Sequence, residues 1–171
     1  MDFEFDEDQL SLQQAAATML AKECPATYLR SVVEQGHDPS ELWRTLCGLD
    51  WPGLAISEAH GGSGASSVEL AIVLEQLGYV GDPTAFLATT TQFAPVVAAC
   101  GTAEQRHRFL SRVATEGSTG SLALAGPDGR WDPRSSVVEA HRNGDRWTLS
   151  GAASFVIDGD RAAELAVLAR T

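Results

Sequence analysis

The spacing of apolar residues changes near Gly117, and this change constrains the fold of the chain more than any other feature. Before Gly117, apolar side chains recur every three or four residues, which predicts five or six amphipathic helices. After Gly117, short stretches of alternating residues predict strands, and Asn143-Gly144 predicts a hairpin turn. The sequence therefore predicts an α+β chain, with a helical domain over 1–117 and an antiparallel β module over 118–171.

Glycine and proline mark where the predicted elements end. Gly78 is expected to stop one helix, and Pro95 is expected to kink or break the helix predicted from about Pro83 to Gly101. Strands are predicted at 121–125, 137–140, 147–149, 155–157 and 165–169. The last strand has no closing element after it, which favours a fragment of a longer protein over a truncated homologue.

The charge of the chain excludes several functional classes. The net charge is -11, and all of it comes from the first 100 residues. This acidity argues against nucleic-acid binding, which needs clustered Lys and Arg. No apolar run is long enough to span a bilayer, and the acidic N-terminus does not resemble a signal peptide. We therefore expect a cytoplasmic protein with reduced cysteines.

Local motifs give no catalytic constellation. The glycines at 61–64 lack the lysine of a P-loop, so a tight connection between helices is the favoured interpretation. The four histidines have no metal-ligand spacing, and we assign no metal site. The threonines at 89–91 either line a polar pocket or face solvent, and solvent is favoured. The arginines at 106, 108 and 112 are expected to form a solvated face.

The order of four segments is more specific than any single motif. They are 53–64 (GLAISEAHGGSG), 75–78 (EQLG), 101–108 (GTAEQRHR) and 146–170 (RWTLSGAASFVIDGDRAAELAVLAR). In the same order, they resemble "PEEYGGxG", "EELG", "GTEEQKxR" and "WxLxGxKxFITNAxxADxxLVxAR" of the acyl-CoA dehydrogenases. The chain is therefore identified as similar to that family over nearly its whole length.

The resemblance implies both a fold and an activity. It implies a helical domain, then part of an antiparallel β-barrel domain, with the family's C-terminal helical bundle absent from this chain. The family oxidises an acyl-CoA thioester to the trans-2-enoyl-CoA, with FAD as hydride acceptor, and passes electrons to an electron-transferring flavoprotein. A glutamate of the C-terminal bundle usually acts as the base, so we assign no catalytic residue here.

The sequence departs from the family pattern at the positions that face the flavin. The family's "LTEPxAGSD" segment corresponds to 124–132, where Leu124 and Ala125 fall at flavin positions. Trp131 replaces the serine of this segment and is the candidate substrate-binding residue. In the later "WITN" motif, Phe155 keeps an aromatic ring and Ile157 replaces the threonine. Because hydroxyl groups are lost, we expect this chain's flavin site to be degenerate.

This degeneracy implies partner subunits. The chain resembles actinobacterial members of the family that form heterotetramers in which one subunit type contributes little to FAD binding. The favoured hypothesis is a subunit, or N-terminal fragment, of an acyl-CoA dehydrogenase in fatty-acyl or sterol β-oxidation, inactive alone and assembled as a homo- or heterotetramer. The alternatives are a non-catalytic structural subunit paired with a flavin-bearing paralogue, and a stand-alone interaction domain.

Overall fold

Seven α-helices precede the first strand in the computed structural model, which describes residues 4–171. They are α1 (Glu7–Glu23), α2 (Ala26–Gln35), α3 (Ser40–Gly48), α4 (Ser67–Val80), α5 (Phe86–Ala88), α6 (Ala94–Cys100) and α7 (Ala103–Glu116). Residues 1–3 of the predicted helical domain lie outside the described range. The first core is formed mainly by α1, α3 and α4, around the buried side chains Leu20, Leu46, Val73, Leu77 and Phe86.

Reciprocal capping boxes fix the start of three helices. Asp6 and Gln9 cap α1, Ser66 and Glu69 cap α4, and Thr102 and Gln105 cap α7. In each box, two backbone N–H groups that lack helical partners are satisfied by side chains. The end of α4 differs from the prediction, because the helix continues through Gly78 and ends at Val80. Gly81 follows it as the left-handed C-cap, with a φ of 72°.

The long helix predicted from about Pro83 to Gly101 is interrupted. The short helix α5 runs directly into a π-helical turn, Thr89–Phe93, and α6 begins at Ala94. Pro95 lies in the first turn of α6, where its missing N–H costs least. Ala88 and Ala94, on the two sides of this turn, keep right-handed helical dihedral angles, so the chain is not broken there. The expected kink or break takes the form of a widened turn just before the proline.

Four strands follow, and they form two separate pairs. They are β1 (Gly120–Ala123), β2 (Glu139–Asn143), β3 (Arg146–Ser150) and β4 (Glu164–Val167). The β2–β3 hairpin is antiparallel as predicted, but β1 and β4 are parallel, which corrects the antiparallel expectation for that pair. The hairpin turn lies at Gly144 and Asp145, one residue later than predicted, because Asn143 pairs with Arg146. Within residues 4–171 the strands form no closed barrel.

The helices hold β1 through both packing and hydrogen bonds. The buried Thr89 hydroxyl bonds to Gly120, and a Cβ atom on Gly120 would lie 2.2 Å from the ring of Phe93. Arg112 of α7 forms an ion pair with Glu164 of β4, at 2.5 Å. The position of the β1–β4 pair is therefore set by the π-helical turn and by α7.

Candidate functional site

Two loops of the β region lie side by side and contain all the flavin positions inferred from the sequence. The first follows β1 and contains Leu124, Ala125 and, at its far end, Trp131. The second precedes β4 and contains Phe155 and Ile157. The structure connects the loops directly, because the Ser154 N–H donates to the Ala125 carbonyl at 3.0 Å.

The ring of Phe155 packs against the first loop. A Cβ atom on Gly129 would lie only 2.8 Å from this ring, so the contact requires glycine there. Phe155 itself has a φ of 54°, a left-handed conformation that non-glycine residues adopt at a cost. The strand predicted over 155–157 is therefore wrong, since a positive φ is incompatible with a strand.

Hydrogen bonds hold the second loop on both sides of Phe155. The fully buried Ser121 of β1 donates its hydroxyl to the carbonyl of Ile157. Ser154, on the other side, bonds to Ala125 as described above. These two contacts hold Phe155 with 71% of its side chain exposed. A large aromatic ring is thus presented to the surface by a rigid support.

The predicted site residues offer aromatic surface but no hydroxyl group. Phe155 and Trp131 are exposed rings, with Trp131 exposed by 50%, and rings of this kind can stack on a planar heterocycle. Ala125 is buried, Leu124 is half-buried, and Ile157 has no hydrogen-bonding side chain. The nearby Ser121 hydroxyl is already engaged. The residues therefore do not fit a flavin site that depends on side-chain hydrogen bonds.

Two aspartates that the sequence analysis did not single out lie beside this site. Asp82, after α4, and Asp158, next to Ile157, line one cavity of about 460 Å³. Burial raises the pKa of the Asp82 carboxyl, although hydrogen bonds from Thr84 oppose the shift. Burial also raises the pKa of Asp158. No motif marks these residues, because only the fold brings them together.

The glycines at 61–64 have a packing role. A Cβ atom on Gly62 would lie 2.1 Å from the Ile56 carbonyl oxygen, and one on Gly61 would lie 2.7 Å from Thr115. This agrees with the tight connection that the sequence favoured. For the threonines, Thr91 is exposed as expected, but Thr89 and Thr90 are buried, so the solvent-facing expectation is wrong for those two.

Within residues 4–171, no group of three His, Cys, Asp or Glu side chains is close enough together to hold a metal ion. In the same range, no helix combines the length and the apolar character needed to cross a lipid bilayer.

Comparison with known proteins finds a family model that matches the helical part of the chain. Residues 6–117 match the family model described as "Acyl-CoA dehydrogenase, N-terminal domain". The chain is 27% identical over 166 residues to the acyl-CoA dehydrogenase FadE12 of Mycobacterium tuberculosis, covering 96% of this chain and 42% of that protein. The chain thus spans about two fifths of the length of this curated relative.

Two solved structures with acyl-CoA dehydrogenase names are also similar to this chain. A variant of the Tcur3481-Tcur3483 steroid ACAD is 32% identical, with a TM-score of 0.79, over 94% of this chain and 44% of that chain. Butyryl-CoA dehydrogenase from Megasphaera elsdenii is 25% identical, with a TM-score of 0.85, over 100% of this chain and 46% of that chain. Because the family model matches more than half of its residues, this chain belongs to the acyl-CoA dehydrogenase family.

Proposed function

We propose that this chain is a subunit, or the N-terminal part of a subunit, of an acyl-CoA dehydrogenase complex. The complex oxidises an acyl-CoA thioester to the trans-2-enoyl-CoA with FAD as hydride acceptor. In this proposal residues 1–117 are the N-terminal helical domain and residues 118–171 begin the middle β domain. The observation that carries it is the aromatic platform of Phe155, built between two loops of a chain that belongs to this family.

The proposal assigns the flavin to a homologous partner subunit. Leu124, Ala125 and Ile157 supply no polar side chain at the flavin positions, and Trp131 places a large indole at the family's serine position. Losing two or more hydrogen bonds worth about 1 kcal/mol each weakens binding by tens-fold. A related steroid ACAD is named for two gene products, Tcur3481 and Tcur3483, which supports a hetero-oligomer and a sterol-derived substrate.

Other proteins complete the proposed assembly. The partner is a homologous acyl-CoA dehydrogenase subunit that binds the flavin, and the complex is therefore a heterotetramer. The electron acceptor is an electron-transferring flavoprotein, as the family resemblance implies. The catalytic base is supplied from outside residues 1–171, because none of the site residues described above is a carboxylate at a matching family position.

Flavin content tests this assignment directly. The chain is expressed alone and together with its homologous partner, and bound flavin is measured by visible absorbance after gel filtration. We expect a colourless lone chain and a yellow complex. Stoichiometric FAD on the lone chain would sink the degenerate-site proposal.

A structural, non-catalytic role is the second candidate function. It is favoured by the same loss of hydroxyl groups at the flavin positions, since a subunit without cofactor can still shape its partner's acyl pocket. Dye reduction by the complex with acyl-CoA substrates separates the two roles when each subunit is altered in turn. If Phe155→Ala lowers turnover while flavin content is unchanged, this chain contributes to the reacting site. If turnover is also unchanged, the structural role is supported.

A further inference from the structure

A second large cavity lies away from the flavin positions. It has a volume of about 520 Å³ and lies between the connection that links α3 to α4, the start of α4, and the helices α6 and α7. Its lining includes none of the five residues inferred at the flavin and substrate positions. Pockets of 300 to 1,000 Å³ are of the size that holds small organic ligands. The cavity is therefore a candidate ligand site separate from the flavin positions.

Most of the residues that line this cavity are aliphatic, although Ser57, Ser67 and Thr90 also contribute hydroxyl groups. Ile56, Ala94 and Leu110 line it and are almost completely buried, and Leu70 and Pro95 extend the same surface. Side chains of this kind favour a saturated hydrocarbon chain, because burial removes apolar surface from water. A hydrocarbon tail of several carbons fits both the volume and the lining.

The charge at the rim has one sign. Arg106 and His60 line the cavity, and no Asp or Glu does so among residues 4–171, although the whole chain has 23 acidic residues. The Arg106 guanidinium donates one hydrogen bond to the Ala98 carbonyl, at 3.4 Å. Because a guanidinium has five N–H donors, Arg106 keeps donors for an anionic group.

We propose that this cavity binds an aliphatic carboxylate of medium chain length. The carboxylate lies at the rim against Arg106, and the hydrocarbon chain lies against Ile56, Ala94 and Leu110. The site is separate from the proposed dehydrogenase site and does not depend on it. Its occupant is a free acid rather than an alcohol, because the rim presents the Arg106 guanidinium and, among residues 4–171, no competing carboxylate.

Calorimetric titration of the 171-residue chain with octanoate at neutral pH tests the proposal. We expect saturable binding of one octanoate per chain, and binding of 1-octanol that is at least about tenfold weaker, since the alcohol lacks the charge-assisted hydrogen bonds. Arg106→Gln, which keeps the length and polarity of the side chain, is expected to weaken octanoate binding about tenfold.

Arg108→Gln is the matched control for this experiment. Arg108 lies on the same helix, but its guanidinium stacks on the ring of Phe109 and does not line the cavity. We expect this variant to bind octanoate as the unaltered chain does. The proposal is overturned if octanoate gives no saturable binding, if octanol binds equally well, or if the two arginine variants behave alike.

Discussion

The hydroxyl of Thr89 bonds to both backbone groups of Gly120. It accepts from the Gly120 N–H at 3.1 Å and donates to the Gly120 carbonyl at 3.3 Å. Thr89 is completely buried within the π-helical turn, and Gly120 is the first residue of β1. One side chain thus connects the irregular part of the helical domain to the start of the β region, and π-helical turns of this kind often occur at functional sites.

Replacing this hydroxyl is expected to destabilise the protein. Thr89→Val keeps the shape of the side chain but leaves two buried backbone groups of Gly120 without their partner, at a cost of about 1 to 3 kcal/mol. Urea denaturation measures the change in the free energy of unfolding. Thr91→Val is the matched control, because Thr91 is exposed and bonds only to the Leu87 carbonyl of its own helical segment. Equal losses for both variants would contradict this account.

Gly120 is also expected to tolerate no side chain. In Gly120→Ala the new Cβ atom would meet the Phe93 ring at 2.2 Å, and relieving such overlap costs about 1 to 3 kcal/mol or more. Gly78→Ala is the contrasting substitution, since Gly78 is inside α4 and nothing lies within 4 Å of a Cβ atom there. It is expected to stabilise the protein by about 0.5 to 1 kcal/mol. Thermal unfolding of both variants tests whether Gly120→Ala lowers the stability of the protein and Gly78→Ala raises it.

The stability of the helix pair α1–α4 is expected to depend on the ionisation of Glu69. Hydrogen bonds from Ser66 and then Gln9 lower the pKa of Glu69 to about 2, from an ordinary value of 4.5. The Glu69 carboxyl therefore binds a proton less tightly in the folded state than in the unfolded state. The contribution of its ionised form to the free energy of unfolding is present above pH 4.5 and is lost as the pH falls towards about 2.

Glu69→Gln tests this dependence, because the amide does not titrate. The free energy of unfolding of the variant should fall less steeply between pH 4.5 and about 2 than that of the unaltered chain. Denaturant titrations at a series of pH values measure both slopes. Identical slopes would show that Glu69 does not contribute to the acid dependence.

The ion pair between Arg112 and Glu164 is expected to contribute modestly to stability. Its side chains are 38% and 26% exposed, so a double-mutant cycle should give a small but measurable coupling that falls with added salt. The pair between Lys22 and Glu23, whose side chains are 83% and 36% exposed, serves as the comparison and should give no measurable coupling. A larger coupling for Lys22 and Glu23 than for Arg112 and Glu164 would contradict this expectation.

Sequence periodicity predicted the helices well because their signals are local. The capping box of Ser66 and Glu69 lies within four consecutive residues, and both partners are visible in the sequence. The end of α4 was less readable, because Gly78 and Gly81 are equally suitable stops. The choice between them depends on tertiary contacts such as the packing of Gly81 against Leu29.

The β region was harder to predict because its shape depends on distant contacts. The alternating pattern at 155–157 suggested a strand, yet Phe155 is held in a left-handed conformation by bonds from Ser154 and Ile157 to β1 and the loop after it. The candidate flavin positions came from the family resemblance alone. The proximity of these positions, and the half-buried carboxylates of Asp82 and Asp158 beside them, depend on the fold.

The parallel pairing of β1 with β4 has a consequence for how the chain folds during synthesis. Gly120 pairs with Glu164, so β1 leaves the ribosome long before its partner strand exists. In that interval its contacts with Thr89 and Phe93 are already available, because both residues precede it in the chain. We expect the nascent helical domain to shield β1 from premature pairing, which protects a strand edge that would otherwise favour aggregation.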